Sequence, residues 1–445
     1  MGKQIKLKKG FDIKIPGAPQ KQIGHLQPSK VFSIKPSDFG NFSYKLSVAE
    51  GDEVVAGQSI IFDKERPEIF IPSPVSGEIV EIVRAEKRRV THVRILADKD
   101  TKFKSFDVPS SLTRESVKET LIGSGTWSYL RQRPFDSIPD TDSEPKSVFV
   151  SLFDSSPLAP DYNYLLKDDL ADLKKGLEVL GILSGGKLNI GVSPATDASL
   201  YQGVNATVNT FDGPHPAGNV GIQIHHVDPI RPGQVVWYVA PQDVVIIGRV
   251  FNSGKYQAQR KIALVGSEVQ SPQYYTVVSG QSIESIVSGK TTDAPQRIIQ
   301  GNVLHGELTT KDNFLSYYTN QITVIKESVE PELFGWALPG FGKLSLNHSF
   351  PSWLMPKKVY NLDTRINGEE RAFVVTGEYE KVLPMNIMPV FLLKSILAGD
   401  IERMENLGIH EVSEEDFALC EFVCTSKIDV QNIIKQGLDL LRKEG

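Results

Sequence analysis

A chain of 445 residues is too long for one hydrophobic core and implies two to four domains. With 40% hydrophobic and 23% charged residues it has an ordinary globular composition. A net charge of -5 argues against the broad basic face of a nucleic-acid binder. Two cysteines, Cys420 and Cys424, suit a reducing cytoplasm better than a disulfide scaffold.

The first residues carry Lys3, Lys6, Lys8 and Lys9 with no apolar stretch behind them, so no secretory signal is expected. Lys6 stands where a myristoylation signal takes Ser or Thr. The most apolar segment, 387–398, is broken by Pro389 and Lys394 and is too short to span a membrane. Membrane association is therefore expected to run through a partner.

The chain then becomes dense in short strands. The half-motifs EGDEVVAGQ (50–58) and SPVSGEIVEI (73–82) are similar to the biotinyl/lipoyl-like barrel-sandwich hybrid, with Gly51 and Gly57 at turns and Gly77 at a kink. Lys64 sits near the hairpin tip, where a carrier takes its cofactor. The spacing to SPVSG and the rigid Arg66-Pro67 depart from a carrier, so an unmodified structural hairpin is expected. Further on, Gly123-Ser124-Gly125 has no strand leading into it and Ser128 where a dinucleotide loop needs Gly. A helical turn is expected there, with Arg131 and Arg133 exposed or facing an anion.

Strands are predicted over 147–153, 187–192, 205–211, 233–240 and 261–265, with helices over 168–183 and 241–251. That alternation describes a mostly parallel α/β domain. It lacks a Gly-rich phosphate loop, because Leu183-Ser-Gly-Gly-Lys187 lies between a helix and a strand, the wrong order for a pyrophosphate site. The strand over 205–211 runs into Gly213, Pro214, Pro216 and Gly218, which forbid regular structure. His215 is thereby fixed on a stiff loop at the carboxyl end of a strand, where open α/β sheets collect ligands. His225, His226 and Asp228 invite a metal reading, but adjacent histidines on a strand face opposite ways, so polar loop residues are expected.

Beyond the α/β region, the strand 274–278, a Gly turn and the short helix 280–287 suit a β-grasp module. Phe334, Trp336 and Phe341 crowd into a turn-rich stretch that is either core or, if exposed, a partner patch. The tail is helical from Pro389, and Ser413-x-x-Asp416 has the form of a helix start. Two thiols cannot hold an iron–sulfur cluster, so Cys420 and Cys424 are expected to be buried.

These motifs, together with IKLKKGFDIKIPGAPQ (5–20), SGTWSYLRQRPF (124–135), SPLAPDYNYL (156–165), FDGPHPAGN (211–219), ELFGWALPG (332–340), the run 378–400 and EEDFALCEFVC (414–424), resemble the NqrA family of the sodium-translocating NADH:quinone oxidoreductases. The resemblance covers nearly the whole length. It implies a peripheral subunit without a redox centre of its own, on the cytoplasmic face of the bacterial inner membrane. The implied partners are NqrB, NqrC, NqrD, NqrE and NqrF, chiefly the membrane protein NqrB, with NADH, FAD, FMN, riboflavin and Fe–S centres used by those other subunits. It also implies an association with the quinone acceptor.

The implied fold is multidomain. A barrel-sandwich region (1–110) precedes a Rossmann-like α/β domain (111–259) related to the flavin subunit of complex I. An SLBB-like β-grasp module (260–330), a return β/loop region (331–378) and C-terminal helices (379–445) follow. Within this frame the quinone-binding candidates are Phe211, Gly213 and His215: Phe211 to stack on the ring, Gly213 to admit close backbone approach and His215 to hydrogen-bond a carbonyl. The alternatives are a docking scaffold with quinone held in NqrB, or a carrier modified at Lys64.

Overall fold

The computed structural model describes residues 2–27, 29–40, 42–328 and 340–444. Phe334 and Trp336 lie outside the described residues, whereas Phe341 is exposed.

At the centre is a six-stranded sheet in the order Gln4–Lys6, Thr207–Asp212, Leu188–Val192, Val148–Ser151, Val236–Tyr238 and Arg131–Arg133. Five strands run parallel; the last, Arg131–Arg133, is antiparallel to Val236–Tyr238. Leu188–Val192 is buried at every position, as expected for a strand covered on both faces. Successive side chains of one strand identify the two layers. Val148 and Val150 share a core with helices Leu170–Leu183 and Pro241–Ser253, while Phe149 packs with Val220 and Ile224 of helix Val220–Val227. Since neighbouring side chains on a strand point to opposite faces, the sheet has helices on both sides.

The histidine pair therefore sits on a helix, not on the strand or loop that the sequence suggests. Val220 to Ile224 is buried at all five positions, so this short helix shows no one-sided apolar stripe to read.

Two smaller sheets precede the central domain in sequence. One has the order Val31–Ile34, Val90–Ala97, Gly77–Arg84, Glu53–Val54; the other has Tyr44–Leu46, Ser59–Asp63, Phe70–Pro72. They share an apolar core that includes Ile60, Ile71, Ile79 and Val93. The tip of the hairpin between Ser59–Asp63 and Phe70–Pro72 carries exposed Lys64 beside Arg66. Arg66 bonds Asp63 (2.6 Å) and, across to the α/β domain, Asp140 (2.6 Å).

The third unit is a sheet in the order Glu307–Thr309, Gln296–Gln300, Gln321–Lys326, Gln259–Val265, Gln273–Val278, Gln20–Gly24, with the short helix Ile283–Val287. The alternation of strands and helices makes 261–265 a fifth strand of the α/β domain, whereas the implied domain bounds put it at the start of the β-grasp module; the observed strand is Gln259–Val265. It forms a hairpin with Gln273–Val278, whose six paired positions fix it in the β-grasp sheet. Residues 340–378 are irregular apart from a 3-10 turn at Pro351–Leu354. From Tyr379 the chain is helical, and Ser413 and Asp416 form a reciprocal capping box at the start of Glu414–Val423.

One segment is not legible in the sequence. Residues 2–24 do not stay with the small sheets; they supply an edge strand to the parallel sheet and another to the β-grasp sheet.

Helices Leu170–Leu183 and Pro241–Ser253 approach through Gly176 and Gly248. A Cβ on Gly248 would lie 1.8 Å from the carbonyl oxygen of Asp172, and one on Gly176 would lie 2.1 Å from that of Val244. Gly248→Ala should therefore destabilise the chain by about 1–3 kcal/mol, the usual cost of overpacking. Gly123→Ala, with open space around it, should be neutral within roughly 0.5 kcal/mol. Urea unfolding of the two variants checks this; equal midpoints would contradict the close approach.

Candidate functional site

The strand order sets the site. From Val148–Ser151 the chain adds Leu188–Val192 and Thr207–Asp212 on one side, then returns to place Val236–Tyr238 on the other. Carboxyl ends beside such a reversal are where doubly wound sheets bind ligands. The loop 213–219 closes the carboxyl end of Thr207–Asp212.

This loop is held by backbone on two sides. Leu7 N–H donates to the Asp212 carbonyl (2.8 Å) and Phe11 N–H to the His215 carbonyl (2.8 Å), while His215 N–H donates to Asp12 Oδ1 (2.9 Å). From Val148–Ser151, two strands away, Ser151 Oγ donates to the Gly218 carbonyl (3.0 Å), and Gly218 N–H donates to Ser155 Oγ just beyond that strand (2.8 Å). Gly213 is required by this clamp: its Cβ would meet the Leu7 carbonyl oxygen at 2.6 Å. The close approach is thus made by the N-terminal segment.

His215 is 4% exposed, with Nδ1 3.1 Å from Ser155 Oγ. The Ser155 hydroxyl accepts from Gly218 N–H and can donate its own proton to Nδ1. A hydrogen bond to the Ser155 backbone also holds the imidazole. Burial drives the imidazole pKa down from 6.5 to about 4, so the ring is neutral at pH 7. Phe211 lies in the apolar cluster that joins Leu7, Ile13 and Ile222 to Tyr379 and Phe417 of the C-terminal helices, and is 1% exposed. Its ring is floor to the loop.

A charged cluster joins the α/β domain to those helices. Arg131 pairs with Asp136 (2.8 Å), which also accepts a bond from Tyr238 Oη. Arg133, 2% exposed, lies over the Tyr238 ring and 3.6 Å from both Glu415 and Asp416. Of the two expectations for these arginines, the anion-facing one holds. Desolvation and the neighbouring Asp416 raise the Glu415 carboxyl, and desolvation raises Asp416 as well. These partners lie hundreds of residues apart, and nothing in the sequence marks their pairing.

The histidine pair has a structural use. His225 Nδ1 meets Glu411 (2.8 Å) and its Nε2 accepts from Asn386 N–H (3.0 Å), while His226 Nε2 donates to the Pro384 carbonyl (2.8 Å). Asp228 pairs with Lys146 (2.6 Å). Among the described residues no group of three or more His, Cys, Asp or Glu could hold a metal ion. Cys420 and Cys424 are buried, and Tyr379 Oη donates to Cys424 Sγ (2.9 Å). Among the described residues no helix is long and apolar enough to cross a membrane.

The successive units match three family models of one type: an NqrA N-terminal barrel-sandwich hybrid domain over 5–98, an NqrA second alpha/beta domain over 112–256 and an NQRA C-terminal domain, of SLBB type, over 261–311. Together they define a chain of the NqrA kind.

Curated relatives agree over the full length. The NqrA protein of the Na(+)-translocating NADH-quinone reductase of Hahella chejuensis is 38% identical, covering 99% of this chain and 100% of its own. The Alcanivorax borkumensis and Neisseria meningitidis serogroup B proteins of the same name are 37% and 35% identical, with the same coverage. The chain belongs to the NqrA family of Na(+)-translocating NADH-quinone reductase subunits. Among solved structures it is similar to an NAD+-reducing NiFe-hydrogenase in the air-oxidized state, at TM-score 0.40 and 10% identity over 74% of this chain and 61% of that one; a likeness of that size carries no argument.

The lowered His215 pKa has a measurable consequence. The folded chain binds fewer protons than the unfolded one between pH 6.5 and about 4, so this group's contribution is intact above 6.5 and is lost as pH falls towards 4. Between pH 7 and pH 5 that loss is about 2 kcal/mol. His215→Gln should therefore lose less stability than the parent over this interval, by about that amount; parallel pH profiles in urea unfolding would contradict the burial of a neutral imidazole.

Proposed function

We propose that this chain is the peripheral subunit of a reductase that couples NADH oxidation and quinone reduction to Na+ export, and that it positions quinone at the loop 213–219. The observation that carries the reading is the neutral, nearly buried His215, whose ring is oriented by the hydroxyl and backbone of Ser155. An imidazole oriented in this way can offer a ring N–H to a quinone carbonyl oxygen, and its neutral state avoids burying a charge beside an apolar ring. Gly213 and Phe211 act from beneath: one admits the Leu7 backbone that fixes the loop, the other anchors it in the apolar core.

The redox centres of such an enzyme, NADH-linked FAD, FMN, riboflavin and Fe–S, belong on this reading to the other subunits. The Rossmann-like relation to the flavin subunit of complex I enters in the same way: the parallel sheet supports it, and the helix-to-strand order around Gly185 and Gly186 supplies no phosphate loop. Titration calorimetry of the purified chain with a short-tailed quinone tests the site. Saturable binding, weakened about tenfold or more in His215→Ala by loss of one desolvated hydrogen bond, is the expected result. No binding by the folded chain would move quinone to NqrB.

Docking on the membrane protein NqrB, at the cytoplasmic face of the inner membrane, is the second part of the proposal. It is supported by Met388, Phe391 and Leu397, which are 61%, 44% and 57% exposed along one short helix. Phe391→Asp should reduce co-purification with the other subunits while leaving the unfolding midpoint of the isolated chain unchanged; undiminished assembly would exclude this helix as the contact.

The carrier alternative at Lys64 has less support, because Arg66 ties the hairpin to Asp140 of the next domain. An intact mass equal to that of the bare polypeptide would eliminate it.

A further inference from the structure

Two segments remote in sequence meet beside the C-terminal helices. Tyr360 N–H donates to the Lys14 carbonyl (2.8 Å), and Lys14 Nζ donates to the Pro356 carbonyl (3.0 Å). Lys358 Nζ in turn bonds the Phe341 carbonyl (2.6 Å), which folds the start of the second segment back onto its end. Residues 2–15 and 341–360 together hold eight lysines against one acid, Asp12, in a chain whose net charge is -5. Lys6, Lys8, Lys9, Lys14 and Lys357 are exposed.

The second segment, tied to Lys14, carries large apolar side chains in water. Phe341, Trp353, Leu354 and Val359 are 60%, 56%, 61% and 53% exposed, and the His348 ring stacks on Trp353 at 5.4 Å. All four come from irregular chain or a single 3-10 turn, not from a strand edge or an amphipathic helix that would receive a peptide. Exposed aromatic and aliphatic tips among lysines match the layer where acyl chains meet anionic headgroups. There, lysine stems lie along apolar surface while their ammonium groups stay with phosphate.

We infer that this lysine-rich face, with Trp353, Leu354 and Phe341 projecting from it, binds directly to the anionic headgroup layer of a lipid membrane. The inference rests on the reading that the chain works on a membrane-bound complex, and adds a lipid contact that does not pass through a partner protein. Several of its lysines lie on the same N-terminal segment whose Leu7, Phe11 and Asp12 clamp the His215 loop.

Flotation of the purified full chain with vesicles tests it. The chain should float with phosphatidylcholine vesicles that contain phosphatidylglycerol and stay behind with phosphatidylcholine alone, and added salt should release it. Combined Lys8→Glu, Lys9→Glu and Lys357→Glu should lower partitioning at least about tenfold, since each lysine near such a surface contributes measurably. Trp353→Ser should weaken binding and leave the salt dependence unchanged. Circular dichroism and the unfolding midpoint confirm that each variant folds.

Absence of phosphatidylglycerol-dependent flotation, or equal flotation of the charge-reversed variant, overturns the inference. Co-purification with the other subunits, measured on the same variants, separates the two readings. Lost flotation with intact assembly supports a lipid contact. A parent chain that never floats, combined with a charge-reversed variant that fails to assemble, makes the face a protein-docking surface and leaves the subunit role standing.

Discussion

The backbone of residues 3–12 holds the carboxyl edge of the parallel sheet. It first pairs with Thr207–Asp212 as an edge strand, then crosses the end of that strand, where Leu7 and Phe11 donate to the loop and Asp12 accepts from it. Gly213 exists to let this crossing happen. The burial of His215, its lowered pKa and the packing of Phe211 against the C-terminal helices follow from having this segment on top of the loop. The proposed site thus depends on a piece of chain about two hundred residues away.

The domains are joined by polar contacts whose partners are individually ordinary. Arg66 to Asp140, His225 to Glu411, and Arg133 facing Glu415 and Asp416 each cross a boundary. Of these, Arg133 with Asp416 is desolvated, and such a pair contributes little net stability but penalises any arrangement that leaves one partner alone. These contacts fix how the units sit, while the apolar clusters supply the drive to associate.

Much of this is legible in the sequence. Leu188–Val192 and Val148–Ser151 read as buried strands because both faces are covered and the runs are rich in apolar residues. The capping box at Ser413 and the helix opened by Pro241 are marked by their termini. The loop 213–219 announces itself by its Gly and Pro content. What stays hidden is long-range. Gln4–Lys6 is three residues with its flanking positions exposed, too short for any period to show. Helix Val220–Val227 is buried along its first five positions, so its pattern does not separate helix from strand or loop. Ser155 and Asp12, which set the state of His215, lie 60 and 203 residues from it, and sequence spacing gives no hint of either. The family resemblance points to a chemistry for the loop, but not to the fact that Phe211 faces the core.

The placement of the N-terminal strand bears on how the chain assembles. Lys3 N–H bonds the Asn209 side chain across 206 residues, and Gln20–Gly24 completes a sheet whose last strand ends at Lys326. This segment leaves the ribosome well ahead of the strands it pairs with, and so waits longest for its partners. Until they emerge, both sheets keep an open edge, and loop-closure entropy must be met before the pairing returns anything. The N-terminal strands are thus unpaired until Thr207–Asp212 and Gln273–Val278 emerge, and are open to edge-to-edge association over that interval.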